Sequence, residues 1–206
     1  MEPFIRLESN AARLDVANVD TDQIIPSRFM RTPRAQGYGP YLFHDLRFDA
    51  AGAPNTAFAL NRESAKGARI LVSGDNFGCG SSREAAIYAL VDYGIRCIAA
   101  PSFGDIFRNN AFKNGLLTIV LDKGTLEKLH DCAHGNDRAP IRVDLESQTI
   151  GCGGFSSRFD IEAFWKECLL AGADDIDLTM QSRVEIDAFY ERRLKACPWL
   201  RAPEAP

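Results

Sequence analysis

The sequence predicts an α/β fold built on a parallel sheet, and three observations point to it. Between residues 68 and 122, short apolar runs alternate with helix-periodic segments in the order strand, helix, strand, helix, strand. That is the pattern of parallel strands joined by right-handed crossovers. The first sixty residues instead carry turn formers, Asn18, Asp20, Pro26, Pro33, Gly37, Gly39, Pro40, Gly52 and Pro54 among them, and read as loops around a site. Beyond residue 141, strand and helix patterns return, which implies a second layer. At 206 residues, 46% hydrophobic and 25% charged, the chain is long enough to bury a core unaided by disulfide or metal, and its composition excludes a wholly disordered, collagenous or coiled-coil protein. A single domain over 1–206 is expected, with a loop-rich segment at 18–60, an α/β core at 68–122, and a C-terminal hairpin and helices at 141–197.

In chain order, a short helix is expected over 22–29. Residues 68–72 form a buried strand, 74–80 a glycine-rich loop, and 82–93 a helix with Ala86, Leu90 and Tyr93 on one side, stopped by Gly94. A second strand follows at 95–100, then a helix capped by Ser102 and ending near Gly115, then a third strand at 116–121. After Gly124 a short helix runs to His134 and a turn occupies 135–140; 141–145 and 149–152 then pair as a hairpin of edge strands. Two amphipathic helices close the chain, 160–171 (Ile161, Phe164, Trp165, Cys168, Leu169) and 182–196 (Val184, Ile186, Phe189, Tyr190, Leu194), and the tail frays from Pro198.

Charge and cysteine usage exclude several classes. Lys and Arg total 24 against 28 Asp and Glu, a net charge of −4 with no basic block, so neither nucleic acid nor an anionic membrane is an expected partner. The longest aliphatic run, 116–121, is far short of a bilayer span, and the first fifteen residues carry Glu2, Arg6, Glu8, Arg13 and Asp15 in place of a signal core; a cytoplasmic protein is expected. The six cysteines, at 79, 97, 132, 152, 168 and 197, contain no CxxC pair and are expected to be reduced, most of them as small buried hydrophobes.

The string Gly74-Asp75-Asn76-Phe77-Gly78-Cys79-Gly80-Ser81-Ser82-Arg83-Glu84 joins a buried strand to a helix N-terminus. Two readings stay open. The glycines let backbone N–H groups approach an anion at the positive end of the helix. Alternatively, Ser81 or Ser82 caps the helix, Glu84 reaches back, and the glycines serve a tight turn. A dinucleotide fingerprint fails because Arg83 replaces the third glycine and no acid follows the second strand at Ala100-Pro101; a P-loop fails for want of Gly-Lys-Ser/Thr. Arg83 in the first helical turn opposes the dipole, at a cost of a few tenths of a kcal/mol unless an anion sits between.

Asp20-Thr21-Asp22-Gln23 followed by Pro26-Ser27-Arg28 fits a helix cap and a turn as well as a functional role. Arg28, Arg31, Arg34 and Arg47 lie in the loop-rich segment, where cations can gather around a polycarboxylate, although solvated charge is the default for each alone. His130 and His134 are four apart with Cys132 between, but no glutamate follows His130 and no metal site is expected. Asp105 and Arg108 are read as a first-turn acid and a surface base, with Asn109 and Asn110 able to face a site.

Taken together and in this order, NVDTDQIIPSRF, NFGCGSSRE, APSFGDIFRNNAFKNGLL and DLTMQ resemble the small subunits of the 3-isopropylmalate dehydratases, the swivel domain of the aconitase superfamily. The resemblance runs from about residue 4 to 200. It implies a swivelling β/β/α three-layer domain of the aconitase C-terminal type that closes over a [4Fe-4S] cluster held by cysteines of a separate large subunit, with no cofactor bound by this chain alone. It implies that Ser81 is the base that takes the substrate proton and that Arg83 binds a carboxylate of a dicarboxylate substrate; Gly80, Ser82, Arg28, Arg31 and Arg47 are the further candidates for substrate binding. The reaction implied is isomerisation of 2- and 3-isopropylmalate by dehydration and rehydration, in leucine biosynthesis.

Two departures from the family pattern bear on the substrate. Ala85 stands where SREHA has His, and Ser27 followed by Arg28 stands where a Lys often follows the proline. The residue matching the apolar-versus-carboxylate selector of compact relatives is Arg31, and Phe43-His44-Asp45-Leu46-Arg47 echoes an FxDWR-like segment. A related hydro-lyase acting on homoaconitate or citraconate is therefore the alternative, and a non-catalytic anion-binding module the second. The apolar end of the substrate would meet Phe29, Met30, Phe43 and Leu46.

Overall fold

The structure is a computed structural model and describes residues 1–134 and 139–200. Two four-stranded sheets form the frame. The chain enters as β1 (Arg6–Ser9), passes Asn10 and continues as β2 (Ala11–Leu14), and these two strands go to different sheets. β2 is the edge of the parallel sheet, followed by β3 (Ile70–Ser73), β4 (Cys97–Ala100) and β5 (Leu117–Val120), in register Ala11 with Ile70, Ile70 with Cys97 and Cys97 with Leu117. β1 is the edge of an antiparallel sheet with β6 (Ile141–Asp144), β7 (Thr149–Cys152) and β8 (Phe155–Arg158).

Alternation of side chains explains the layers. Ile70, Val72, Cys97, Ala99, Leu117 and Ile119 point from the parallel sheet into a core shared with Leu7, Ile141, Val143 and Ile150 of the antiparallel one. Leu71, Ile98 and Ala100 point the other way, toward α1 (Thr21–Ile24), α3 (Glu84–Tyr93) and α4 (Asp105–Lys113). Both faces of the parallel sheet are thus covered, which is why its inner strands β3 and β4 are near-continuous apolar runs in the sequence. Each branched side chain buried this way contributes about 1.5–3 kcal/mol. The order antiparallel sheet, parallel sheet, helices is the expected β/β/α arrangement. α2 (His44–Arg47) lies in the loop-rich segment, and α5 (Lys123–His134) and α6 (Ala163–Ala171) send Leu126, Leu129 and Leu169 into the inter-sheet core.

Several local expectations are corrected. The helix expected over 22–29 stops at Ile24, because the residue before Pro26 is pushed out of the helical region; a 3-10 turn, Ser27–Arg31, follows. Gly104, not Ser102, occupies the N-cap of α4, while the Ser102 hydroxyl accepts the Asn76 N–H at 2.8 Å. The hairpin of two edge strands becomes four strands, since β1 adds on one side and the Gly153-Gly154 turn leads into β8 on the other. The expectation of six reduced cysteines is also overturned: Cys132 on α5 and Cys152 on β7 are disulfide-bonded, with Cα atoms 5.9 Å apart, within the span a disulfide bridges. Cys79, Cys97, Cys168 and Cys197 are not disulfide-bonded.

The chain divides into two compact units, 1–172 and 173–206. The second holds α7 (Asp175–Met180), begun by a capping box from Asp174, and α8 (Arg183–Ala196). The expected apolar face of α8 does not enter a core: no residue of that helix is buried, and Val184 and Phe189 are 78% and 60% exposed. Of the tail expected to fray, Pro198–Leu200 forms a 3-10 turn and 201–206 lie outside the described residues, as do 135–138 of the expected turn and the His134 side chain. Among the described residues no helix is long and apolar enough to cross a membrane.

Candidate active site

The glycine-rich loop leaves the C-terminal end of β3 and is laced on both sides to neighbouring segments. On one side Asn18 N–H donates to the Asp75 carbonyl (2.8 Å), Gly78 N–H to Val19 (2.7 Å) and Thr21 N–H to Cys79 (3.1 Å). On the other, Phe77 N–H donates to Ser102 (3.1 Å) and Gly104 N–H to Phe77 (2.9 Å). Gly78 is required twice over: its φ is +74°, and a Cβ there would lie 2.1 Å from the Phe107 ring. Gly80 has φ +87° and turns the chain toward α3.

This geometry excludes the capping reading of the loop. α3 begins at Glu84 with Arg83 in the N-cap position and no side-chain cap. Glu84 does not reach back; its Oε1 accepts the Asn114 amide at 3.0 Å. Ser81 and Ser82 therefore stand free of capping duty, both exposed, at the rim of a cleft of about 270 Å³ that also takes in Thr21, Arg83, Asp105 and Asn110. Among the described residues, the N–H groups of Gly80, Ser81 and Ser82 donate to nothing. Unpaired donors beside a ten-residue helix N-terminus favour an anion.

Arg83 is only 20% exposed at its side chain and is ion-paired with Asp22 of α1. A carboxylate already sits where the sequence places a substrate carboxylate. Asp22 and Thr21 reach this site from the DTDQ string, for which the sequence left a functional role open beside the cap: Asp20 and Gln23 supply the capping box, and which of the four residues faces the loop was not legible. Asn110 reaches the cleft as the sequence allowed, whereas Arg108 stacks on Phe112 at 5.6 Å and does not line it.

None of the four arginines of the loop-rich segment lines this cleft, and Arg34 pairs with Asp92 at 2.7 Å. Arg28 pairs with Asp45, one contact at 2.8 Å, and lies over the Phe29 ring at 4.5 Å. The Arg28 hydrogen bond, against a smaller opposing effect of desolvation, holds the Asp45 carboxyl down at about 2. Arg47 donates to Asn61 Oδ1 (3.1 Å) and the Leu42 carbonyl (3.2 Å) and is flanked by the Phe48 and Tyr93 rings, so it braces the segment. Arg31 is exposed, with no ion-pair or side-chain hydrogen-bond partner among the described residues. Of the expected apolar walls, Phe43 is fully buried in the core, Phe29 stacks on Tyr41 at 4.3 Å, and Met30 and Leu46 are exposed. Among the described residues no three His, Cys, Asp or Glu side chains converge to hold a metal ion.

Comparison with known proteins adds to this geometry. A family model described as the aconitase C-terminal domain matches residues 1–124, and one described as the C-terminal domain of the 3-isopropylmalate dehydratase small subunit matches 175–202. The chain is 50% identical to the 3-isopropylmalate dehydratase small subunit of Rhodospirillum rubrum over 206 residues, 100% of each chain. It is 50% identical to that of Rhodospirillum centenum over 97% of this chain and 98% of the relative, and 48% identical to that of Dinoroseobacter shibae over 97% and 100%. The crystal structure of a 3-isopropylmalate dehydratase chain from Methanocaldococcus jannaschii superposes with a TM-score of 0.65 at 25% identity, covering 89% of this chain and 99% of that one.

Proposed function

Since the chain belongs to the 3-isopropylmalate dehydratase small-subunit family, we propose that it is one half of a cytoplasmic hydro-lyase that interconverts 2- and 3-isopropylmalate with a large-subunit partner, in leucine biosynthesis. The observation that carries this reading is the freedom of Ser81: a hydroxyl at a helix N-terminus that caps nothing, beside unpaired N–H groups and a guanidinium. Arg83 exchanges Asp22 for a substrate carboxylate and binds it through two parallel N–H donors. Gly80 and Ser82 offer N–H groups to the same anion. Ser81 Oγ, as the alkoxide, takes the proton from the substrate carbon and becomes the hydroxyl, the C–H electron pair forms the double bond, and hydroxide leaves the neighbouring carbon. Addition of water in the opposite sense gives the isomer.

Ser81 cannot do this on the helix alone. A hydroxyl ionises far above neutrality, and a helix N-terminus supplies about 0.3–2 kcal/mol, at most one to two pKa units. The unpaired N–H groups and neutralisation of the substrate by Arg83 must add to it, and closure against the partner strengthens both by excluding water. Hydroxyl and guanidinium donors suit a carboxylate and not an iron cluster, so a [4Fe-4S] group belongs on the large subunit, where it would supply Lewis acidity to the departing hydroxyl. Arg31, exposed on the Ser27–Arg31 turn, is the group proposed to read the substituent; Arg28 and Arg47 act through the frame they hold.

The test is hydration and dehydration by the reconstituted two-subunit enzyme on isopropylmalate, citraconate, homocitrate and citrate. Isopropylmalate is the expected substrate, and Ser81→Ala lowers kcat by about a hundredfold to ten-thousandfold with the complex still assembled. Near-normal turnover by Ser81→Ala removes the base assignment, and preference for another of the four acids moves the chain to a related hydro-lyase.

A further inference from the structure

The residue that positions Ser81 lies outside the glycine-rich loop. Residues 81–83 connect Gly80, in the left-handed region at φ +87°, to the first residue of α3. They belong to no regular element. Among the described residues the Ser81 N–H donates to nothing, and its carbonyl has a single donor, the Thr21 hydroxyl, at 2.9 Å. Within the described chain, that bond alone holds the Ser81 peptide.

Thr21 is built to hold something still. It is 3% exposed, it opens α1, and the reciprocal Asp20–Gln23 capping box fixes that helix. Its own N–H bonds Cys79 of the same loop, so backbone and side chain grip the loop at two points two residues apart. A β-branched side chain is restricted at χ1, and the bond to the Ser81 carbonyl selects the rotamer this hydroxyl occupies. From these contacts we propose that Thr21 is the positioning residue for Ser81, setting the direction in which Oγ meets the substrate. A buried threonine that merely satisfies its own hydroxyl would stabilise the fold and leave the reaction untouched; one that aims the base would affect turnover, because misplacing a reacting group by about 1 Å costs on the order of a hundredfold in rate.

The inference rests on Ser81 being the base, and the experiment separates the two. In the reconstituted enzyme, Thr21→Val keeps the shape and removes the hydroxyl, and Thr21→Ser keeps the hydroxyl. Thr21→Val is expected to lower kcat on 2-isopropylmalate by roughly tenfold to a hundredfold with KM within about threefold, and Thr21→Ser to return it to within about threefold of the parent. Combined with Ser81→Ala, Thr21→Val should cost nothing further, since it acts only through that side chain. A Thr21→Val enzyme of normal kcat beside an inactive Ser81→Ala, or a double variant whose losses multiply, overturns the positioning role. An active Ser81→Ala overturns the base instead. If Thr21→Val does not fold, Thr21→Ala against Thr21→Ser gives the same comparison, and equal kcat values overturn the proposal.

Discussion

Arg83 shows how much a single side chain can be asked to do. In the free chain it pairs with Asp22, whose carboxylate is 54% exposed, and a pair that open to water is worth at most about 1 kcal/mol. Displacement by substrate is therefore cheap. Arg83→Lys keeps the charge and that weak pair but loses the planar fork. Its melting temperature should stay within a few degrees of the parent, while KM for isopropylmalate rises at least tenfold and kcat falls; an unchanged KM would place the carboxylate elsewhere. Asp45 carries the acid sensitivity of the loop-rich segment. Its folded value of about 2 lies below the unfolded one, so its contribution is present at neutral pH and is lost as pH falls from about 4 through 2. Asp45→Asn should cost clearly more stability at pH 7 than at pH 2, which urea unfolding at the two pH values measures.

At the scale of elements, the disulfide ties α5 to β7 across 20 residues of sequence. In denaturant without reductant, four thiols should react with a thiol reagent, and two more after reduction; six at once would mean the bond is absent in solution. In the native state Cys97 should be the slowest, because complete burial pushes its thiol up. The sequence could not announce the bond, since neither spacing nor motif joins residues 132 and 152 until the antiparallel sheet folds under the helix. Three of the four parallel strands, β3, β4 and β5, were legible because burial on both faces leaves largely apolar runs; β2 was not, because Arg13 interrupts Ala-Ala-Arg-Leu. β8 was not, because Phe-Ser-Ser-Arg is an edge strand with an alternately exposed pattern. In the site, Gly80, Ser81, Ser82 and Arg83 came together because they are contiguous; Thr21 and Asp22 join them from sixty residues away, and the four loop-segment cations could not be told apart until their partners were seen.

For the whole molecule, the two compact units make a truncation informative. Unit 1–172 closes on itself at the Met1 ammonium, which donates to the Gly172 carbonyl at 2.9 Å, while α8 buries none of its residues. A chain ended after Gly172 should keep its far-ultraviolet dichroism per residue for the remaining elements and melt cooperatively within a few degrees of the full chain; loss of cooperative melting would show that the last 34 residues hold the body together. The division of the N-terminus between the two sheets has a consequence in time. Arg6 pairs with Asp144, 138 residues later, so the first strand to leave the ribosome has no partner until two-thirds of the chain exists. At about 5–20 residues per second that interval is roughly 7–28 s. Within it β2 can dock on β3 once residue 73 is made and the parallel sheet can close once residue 120 is made, but Leu7 and one face of that sheet stay uncovered until β6 follows. Synthesis thus exposes a half-finished sandwich whose missing layer is the last to be made, and it is in that interval, more than in the finished protein, that the chain is open to capture by chaperones or by its own kind.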